Sequence, residues 1–334
     1  MSSLRTLAKS LGLSITTVSR ALDNYADVSQ ATRARVRAAA EAAGYRPNAA
    51  ARRLRKGSTE MVTMVLPTEP GQFNEPLYIE LLAALGKRLA SDGYDLTLLA
   101  SPPGTEEIKT YRRLVEGRRT DGLIVVRTRR DDARVRWLLD ADFPFVTMGR
   151  TDVAGDFAFV DGDGEAAFRE ATQRLVALGH RRIALVGAPT AFTFATLRRA
   201  GYRAAMAAAG LEPVELEVAA DEEGGHAGAS ALLQAAGRPT ALLCATDRIA
   251  YGALRAARRL GLSVPADLSV VGHDNLPASA FSDPPLTTME LPIAETGDLL
   301  ADMLLARIGG ADPRTLRRIC PVRFVERQST APPP

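Results

Sequence analysis

From residue 60 onward, short apolar runs alternate with longer amphipathic stretches, and this alternation restricts the body of the chain to one fold class. The runs are "MVTMVLP" (61–67), "YDLTLLA" (94–100), "DGLIVVR" (121–127), "FPFVTMG" (143–149), "RRIALVG" (181–187), "ALLCATD" (241–247) and "LSVVGHD" (268–274). Helical patterns fall between them, at 77–91, 163–178, 197–209 and 248–260. Strands separated by helices need crossover connections, so the body is expected to be α/β, built from doubly wound parallel sheets. Such sheets bind ligands beyond the carboxyl ends of their strands. With 334 residues, 46% of them hydrophobic, the chain can fill two or three domains, each with its own core.

Several classes of function are disfavoured at once. No run of about 18 apolar residues occurs, and "MSSLRTLAKSLGLS" lacks the uninterrupted apolar stretch of a secretory signal, so the chain is expected in the cytoplasm with no membrane contact. Cys244 and Cys320 lie in strand-like runs without CxxC spacing and read as reduced, buried thiols. His180, His226 and His273 show no metal-ligand spacing. No GxGxxG, GxxxxGK[ST] or GxSxG follows a strand. No catalytic residue, cofactor or metal is therefore expected, and the chain does not read as an enzyme.

Charge is unevenly distributed. Residues 1–59 hold eleven Lys/Arg and three Asp/Glu, a balance of +8, which leaves 31 basic and 36 acidic residues in the rest of the chain. A basic head on an acidic body fits a polyanion-binding module, and equally a solvated helical face. The pattern inside the head favours the first. Leu4, Leu7, Ala8 and Leu11 repeat at helical spacing, Gly12 breaks the helix, and Ser14 caps a second helix running through Leu22. On that helix Val18, Ala21 and Leu22 share one face, which leaves Ile15, Thr16, Ser19 and Arg20 on the other face or at its margins. Short polar side chains let a helix settle deep in a DNA major groove, where hydroxyls reach base edges or phosphates. Arg20 could fork onto guanine or phosphate, and Ile15 could meet a thymine methyl. A third helix, capped near Ser29 and running from Thr32 to Tyr45, offers Val36, Ala39, Ala40 and Ala43 as support.

The segment "RPNAAARRLRKG" reads at first as a basic linker bracketed by Pro47 and Gly57. Together with "LAKSLGLSITTVSRAL", "VSQATRARV" and "GYRPNAAARRLRKGST", and downstream "LGHRRIALVG", "DLSVVGHD", "PPLTTMELP" and "VERQST", it resembles the LacI/GalR transcriptional regulators over nearly the whole chain. The resemblance implies a helix-turn-helix head at 1–46 and a hinge at 47–58 that becomes helical only on DNA. It also implies a two-lobed core like that of periplasmic binding proteins: one lobe from 59–158 and 289–319, the other from 159–288 and 320–330, then a tail at 331–334. In the hinge, Ala49, Ala50 and Ala51 would let two helices approach closely in the minor groove, four cations would meet phosphates, and Leu54 would be the apolar wedge. Leucine placed among Arg52, Arg53, Arg55 and Lys56 favours this over a plain linker. Expected DNA contacts are Thr6, Ser14, Ile15, Thr16, Thr17, Ser19 and Arg20 from the first two helices. Ser29 and Thr32 would add to these from the third, and Asn48, Ala51 and Leu54 from the hinge.

Effector residues follow from the same resemblance. Tyr78 sits where an aromatic stacks on the ligand, and is equally readable as a core tyrosine. Arg198 matches an arginine that grips hydroxyls or a carboxylate, whereas Arg199 reads as surface. Asp274 matches a carboxylate that accepts from a hydroxyl pair. Arg127, Arg150 and Phe192 would face the same cleft, with surface or packing roles as the alternative. Thr246 and Asp247 stand where the family usually has Asn-Asp, so one bidentate contact is lost. Two further departures are Asp23, in place of an asparagine at the end of the recognition helix, and His273, in place of an aromatic.

The implied function is a dimeric repressor of carbohydrate-use genes on a pseudo-palindromic double-stranded operator, released by a sugar. A chain stopping at "STAPPP" without leucine heptads favours a dimer, and "SITTVSRAL" with "VTMGRTD" is similar to the α-glucoside and disaccharide subset. A nucleobase- or phosphometabolite-responsive regulator is the alternative, but a purine sandwich would need a second aromatic near Ala220. In a different class stands a cytoplasmic sugar-binding protein with no role on DNA.

Overall fold

The computed structural model describes residues 3–45, 57–68 and 76–334. The proposed hinge contacts Asn48, Ala51 and Leu54 lie outside the described residues. The chain divides into two units, Met1–Thr59 and Glu60–Pro334.

The first unit holds three helices: α1 (Leu4–Leu11), α2 (Ile15–Leu22) and α3 (Gln30–Ala42). Each begins with the same local device. Ser3, Ser14 and Ser29 accept from the backbone N–H of Thr6, Thr17 and Thr32 at 3.1, 3.0 and 3.2 Å, and each serine hydroxyl also pairs with that threonine's Oγ1. A side-chain oxygen at this position satisfies one of the orphan N–H groups of the first turn. Gly12 takes φ +64° and closes α1, a left-handed conformation that glycine adopts without a Cβ penalty. Leu7, Ala8, Val18, Ala21, Val28, Val36 and Ala40 form the core of the head. The third helix starts earlier and ends sooner than Thr32–Tyr45, because Ser29 caps it directly and Gly44 takes φ +58° beyond it. Ala43, expected to support the other helices, is exposed at its C-cap.

The second unit contains two parallel sheets. The first has the order β11-β5-β4-β3-β1-β2, formed by β1 (Met61–Pro67), β2 (Asp95–Ser101), β3 (Gly122–Val125), β4 (Phe145–Met148), β5 (Ala158–Gly162) and β11 (Arg317–Cys320). The second has the order β7-β6-β8-β9, formed by β6 (Ile183–Gly187), β7 (Val214–Glu217), β8 (Ala241–Cys244) and β9 (Ser269–Val271). Every pairing in both is parallel. Central strands β3 and β8 are buried at every residue, as expected of strands covered on both faces. A short antiparallel pair, β10 (Thr288–Glu290) with β12 (Arg323–Val325), completes the strands.

Helices cover the sheets: α4 (Pro76–Ser91), α5 (Thr105–Glu116), α6 (Ala133–Asp140), α7 (Gly164–Ala177), α8 (Thr193–Ala208), α9 (Glu222–Gln234), α10 (Asp247–Arg259) and α11 (Ile293–Ile308). The chain leaves the first sheet after Gly162 and returns through α11, whose Ile293, Leu300, Ala301 and Leu304 pack with Val62, Met64 and Ile124. After β11 it returns to the second lobe, where the N–H of Val270 donates to the carbonyl of Ser329 at 2.8 Å. Residues past 330 are tied down as well, since the Ala331 carbonyl lies 2.9 Å from His180 Nε2. Tyr78, Leu81, Leu85 and Leu89 form the buried stripe of α4 at helical spacing, each full burial stabilising by roughly 1.5–3 kcal/mol.

Candidate functional site

The carboxyl ends of the two sheets face one cavity. From the first lobe it is lined by Leu77 and Tyr78 at the start of α4, Arg127 and Thr128 after β3, and Met148 and Gly149 at the end of β4. From the second lobe come Phe194 and Arg198 on α8, Ala220 after β7, Thr246 after β8 and Asp274 after β9. Of the expected effector residues, Tyr78, Arg127, Arg198, Thr246 and Asp274 therefore meet at one place. Tyr78 is 7% exposed within the α4 core stripe and also lines the cavity.

Three other expected residues do not line it. Asp247 is fully buried and turned inward, where it accepts from Leu276 N at 2.8 Å, from Ser279 Oγ at 2.6 Å and from Thr288 Oγ1. It anchors the 276–288 segment to the start of α10 and cannot serve as a ligand contact. Burial, with Asp274 nearby, pushes its carboxyl above the usual range. Arg150 is spent on Asp161, Nε to Oδ2 at 2.7 Å. Phe192 stands behind Phe194, ring centroids 5.8 Å apart and stacked, with the Arg127 guanidinium 4.8 Å above its ring.

Phe194 is the residue the sequence reading missed. It carries the Arg198 guanidinium 4.7 Å from its ring centroid, and Phe168 approaches the same group at 5.7 Å. Arg198 also donates to the Ala245 carbonyl and lies 3.7 Å from Asp274 Oδ1. Burial lowers the Arg198 pKa, opposed by Asp274, Asp161 and Asp247. Burial also pushes the Asp274 carboxyl up to about 6, and Arg198 only partly reverses the shift. Asp274 takes φ +117° and Asn275 φ +50°, a left-handed excursion at two consecutive non-glycine residues. Thr246 spends its hydroxyl on the N-cap of α10, accepting from Ile249 N at 3.2 Å.

A buried ion cluster holds the first lobe's wall. Arg134, 1% exposed, donates to Asp132 through Nε (2.9 Å) and Nη2 (2.7 Å), to Glu107 through Nη1 (2.8 Å) and to the Arg127 carbonyl through Nη2 (3.0 Å). Arg127, whose carbonyl accepts that last bond, takes φ +53°. The same loop reaches across the cleft: Arg130 N donates to the Ala191 carbonyl at 3.0 Å, and Thr193 N to the Thr128 carbonyl at 3.1 Å. Gly149 takes φ +108°, and a Cβ there would meet Thr128 Oγ1 at 2.4 Å, so this wall admits no side chain.

In the head, Ile15 is 45% exposed, Thr16 is exposed and Thr17 is half-buried at the start of α2. Thr6, Ser14 and Ser29 are exposed and Thr32 half-buried, all engaged in the serine–threonine caps. Ser19 is a correction. At 3% exposure it packs inward beside Val18, its Oγ 3.4 Å from Asp23 Oδ2, because its position on α2 turns it to the core side. Arg20 is exposed, pairs with Asp27 at 2.7 Å and lies 5.0 Å above the Tyr25 ring. Among the described residues no group of three His, Cys, Asp or Glu could hold a metal ion, and no helix is long and apolar enough to cross a membrane.

Comparison with known proteins agrees with this geometry. Residues 3–48 match the family model "Bacterial regulatory proteins, lacI family", and residues 172–330 match "Periplasmic binding protein-like domain". The HTH-type transcriptional regulator AglR of Rhizobium meliloti is 36% identical over 340 residues, covering 99% of this chain and 95% of AglR. A solved complex of the transcriptional regulator CelR with cellobiose superposes with a TM-score of 0.76 at 30% identity, covering 98% of this chain and all of that one. The lac repressor dimer, solved on its operator with the anti-inducer ONPF, gives a TM-score of 0.86 at 28% identity over 99% of both chains. With a helix-turn-helix head, two doubly wound lobes and relatives aligned end to end, the chain belongs to the lacI family of bacterial regulatory proteins and is a transcriptional regulator.

Proposed function

We propose that the protein is a homodimeric repressor of carbohydrate-use genes that leaves a pseudo-palindromic operator when a sugar, an α-glucoside or related disaccharide, fills the cleft. The observation that carries this is the juxtaposition of Asp274 and Arg198, 3.7 Å apart, beside Phe194 and Tyr78. A carboxylate accepts from a vicinal hydroxyl pair, a guanidinium donates to the next oxygen, and flat aromatic faces suit the C–H surface of a pyranose. The solved complex of the similar regulator CelR with cellobiose supports a sugar as effector. The family resemblance puts the second aromatic of a nucleobase sandwich near Ala220, and the residue lining the cavity there is an alanine.

The control step follows from ligand geometry. Because the lining comes from both lobes, a bound sugar has different contacts in different lobe arrangements. Differential affinity of that kind is what shifts a two-state equilibrium, and about 1–3 kcal/mol of coupling suffices. The test is a thermal-shift screen of the full chain against maltose, cellobiose, raffinose, ribose, sugar phosphates and nucleobases, followed by operator release measured by fluorescence anisotropy. A disaccharide should raise the melting temperature and dissociate the operator complex, and Asp274→Ala should abolish both effects. A nucleobase as the only stabilising compound would overturn the sugar assignment.

A further inference from the structure

His273 carries a feature that ring packing alone does not explain. Its side chain is 3% exposed, and its ring lies 5.9 Å from the Phe168 ring. Its Nδ1 is 2.8 Å from Asp274 Oδ1, while its Nε2 is buried with no hydrogen-bond partner. A phenyl ring would pack against Phe168 without leaving a polar atom unpaired. The imidazole must therefore owe its place to what Nδ1 does.

We propose that His273 is a positioning residue for effector recognition: its Nδ1–H donates to Asp274 Oδ1 and fixes the carboxylate so that the cavity meets Oδ2, the acceptor for a sugar hydroxyl. The inference rests on the sugar reading of the cleft for the identity of that hydroxyl. The backbone and the imidazole divide the work. Asp274 N donates to the Met289 carbonyl at 2.8 Å, and Asn275 is held by Arg327 at 2.6 Å and Glu290 at 3.1 Å, which aims the Asp274 Cβ. His273 then sets the side-chain rotation. Both polar contacts of the carboxylate, His273 and Arg198, fall on Oδ1. Among the described residues Oδ2 takes no hydrogen bond.

The tautomer follows from the surroundings. Burial and the neighbouring Arg198 hold the imidazole neutral, far below its usual titration range, and a carboxylate partner requires the single proton on Nδ1. The other charged or titratable groups facing Asp274 are Arg198 from α8, and Asp247 and Tyr251 from α10, with Asp161 from β5 acting on Arg198.

The experiment uses the full-length dimer labelled with ¹⁵N-histidine and ¹³C-aspartate. The His273 signals are assigned by their loss in His273→Phe, and those of Asp274 by their loss in Asp274→Asn. His273 should show the neutral Nδ1–H tautomer between pH 7.5 and 8, where Asp274 is ionised. His273→Phe, which keeps a ring against Phe168, should raise the midpoint of Asp274 by about one pH unit, because a hydrogen bond to the ionised form is lost. His273→Asn, whose amide can donate from near the Nδ1 position, should restore it. An Nε2–H tautomer, or an Asp274 midpoint unmoved in the Phe variant, would overturn the proposal. Should the Phe variant fail to fold, the wild-type tautomer and the Asn variant still decide the question. Calorimetric titration with maltose and cellobiose separates the two readings. Sugar binding with an unmoved midpoint defeats the His273 proposal alone, and a moved midpoint in a protein that binds no sugar of the panel defeats the effector assignment.

Discussion

At the scale of single residues, Asp274 concentrates the chemistry of the cleft. Its carboxyl is pushed up to about 6 by burial, so its ionised fraction falls as pH drops through that value. A hydroxyl pair binds best to the ionised form, so sugar affinity should be full near pH 7.5 and about tenfold weaker at pH 5. Stability of the sugar-free protein moves the other way at this residue. A folded carboxyl that holds its proton more tightly than the unfolded one contributes stability that is present below the unfolded value and lost as pH rises through the folded one. Melting temperatures of wild type and Asp274→Asn at pH 5 and 7.5, with and without sugar, check both signs: without sugar the Asn variant gains on wild type as pH rises, and with sugar it shows no added stabilisation at either pH. Part of this residue-level picture was readable from the chain alone. "SVVGHD" placed Asp274 at the end of a buried strand, and the family resemblance gave it an effector role. Asp247, at a similar strand end, was read the same way. Its burial depends on Leu276, Ser279 and Thr288, partners about 30 to 40 residues away, which no local pattern displays.

Among the elements, the loop after β3 depends most on long-range pairing. Arg134 ties Asp132, Glu107 and the Arg127 carbonyl together inside the first lobe. Replacing one member strands the other charges in a low-dielectric interior, a loss of about 3–5 kcal/mol. Arg134→Met should lower unfolding stability by that amount in urea titration. It should also weaken sugar binding, since the Arg127 carbonyl loses its donor beside the cavity; unchanged stability would mean that water reaches the cluster. In sequence this segment reads "RTRRDDARVRW", a charged surface stretch, because pattern reading treats charge as exposure. The same bias hid β7 ("VELE"), an edge strand whose charged side chains protect it from further pairing. The central strands were legible for the opposite reason: β1, β3 and β8 are apolar runs buried on both faces. Phe194 escaped notice because "AFTFATLRRAG" carries two aromatics at the start of α8, and only the fold shows that one lines the cavity while the other supports it.

For the whole molecule, the charge division made in the sequence becomes a prediction about DNA. Residues 1–59 carry a balance of +8 on a body that is net acidic, so most of the operator affinity should be electrostatic and should fall steeply with salt. Arg53 and Leu54 are neighbours in sequence with opposite physics. A cation that neutralises a phosphate releases counterions, so Arg53→Ala should weaken binding to operator and to random DNA alike. It should also reduce the slope of log affinity against log salt by about one for each hinge. An apolar wedge acts by unstacking a base step and releases no counterion. Leu54→Ala should therefore lower operator affinity by about tenfold or more, leave random-sequence binding nearly unchanged, and keep the salt slope of the wild type. Anisotropy titrations of both variants between 50 and 200 mM salt separate the two behaviours. An operator affinity within twofold of wild type for Leu54→Ala would return the segment to a plain basic linker, with specificity resting on Ile15, Thr16 and Arg20 of the head.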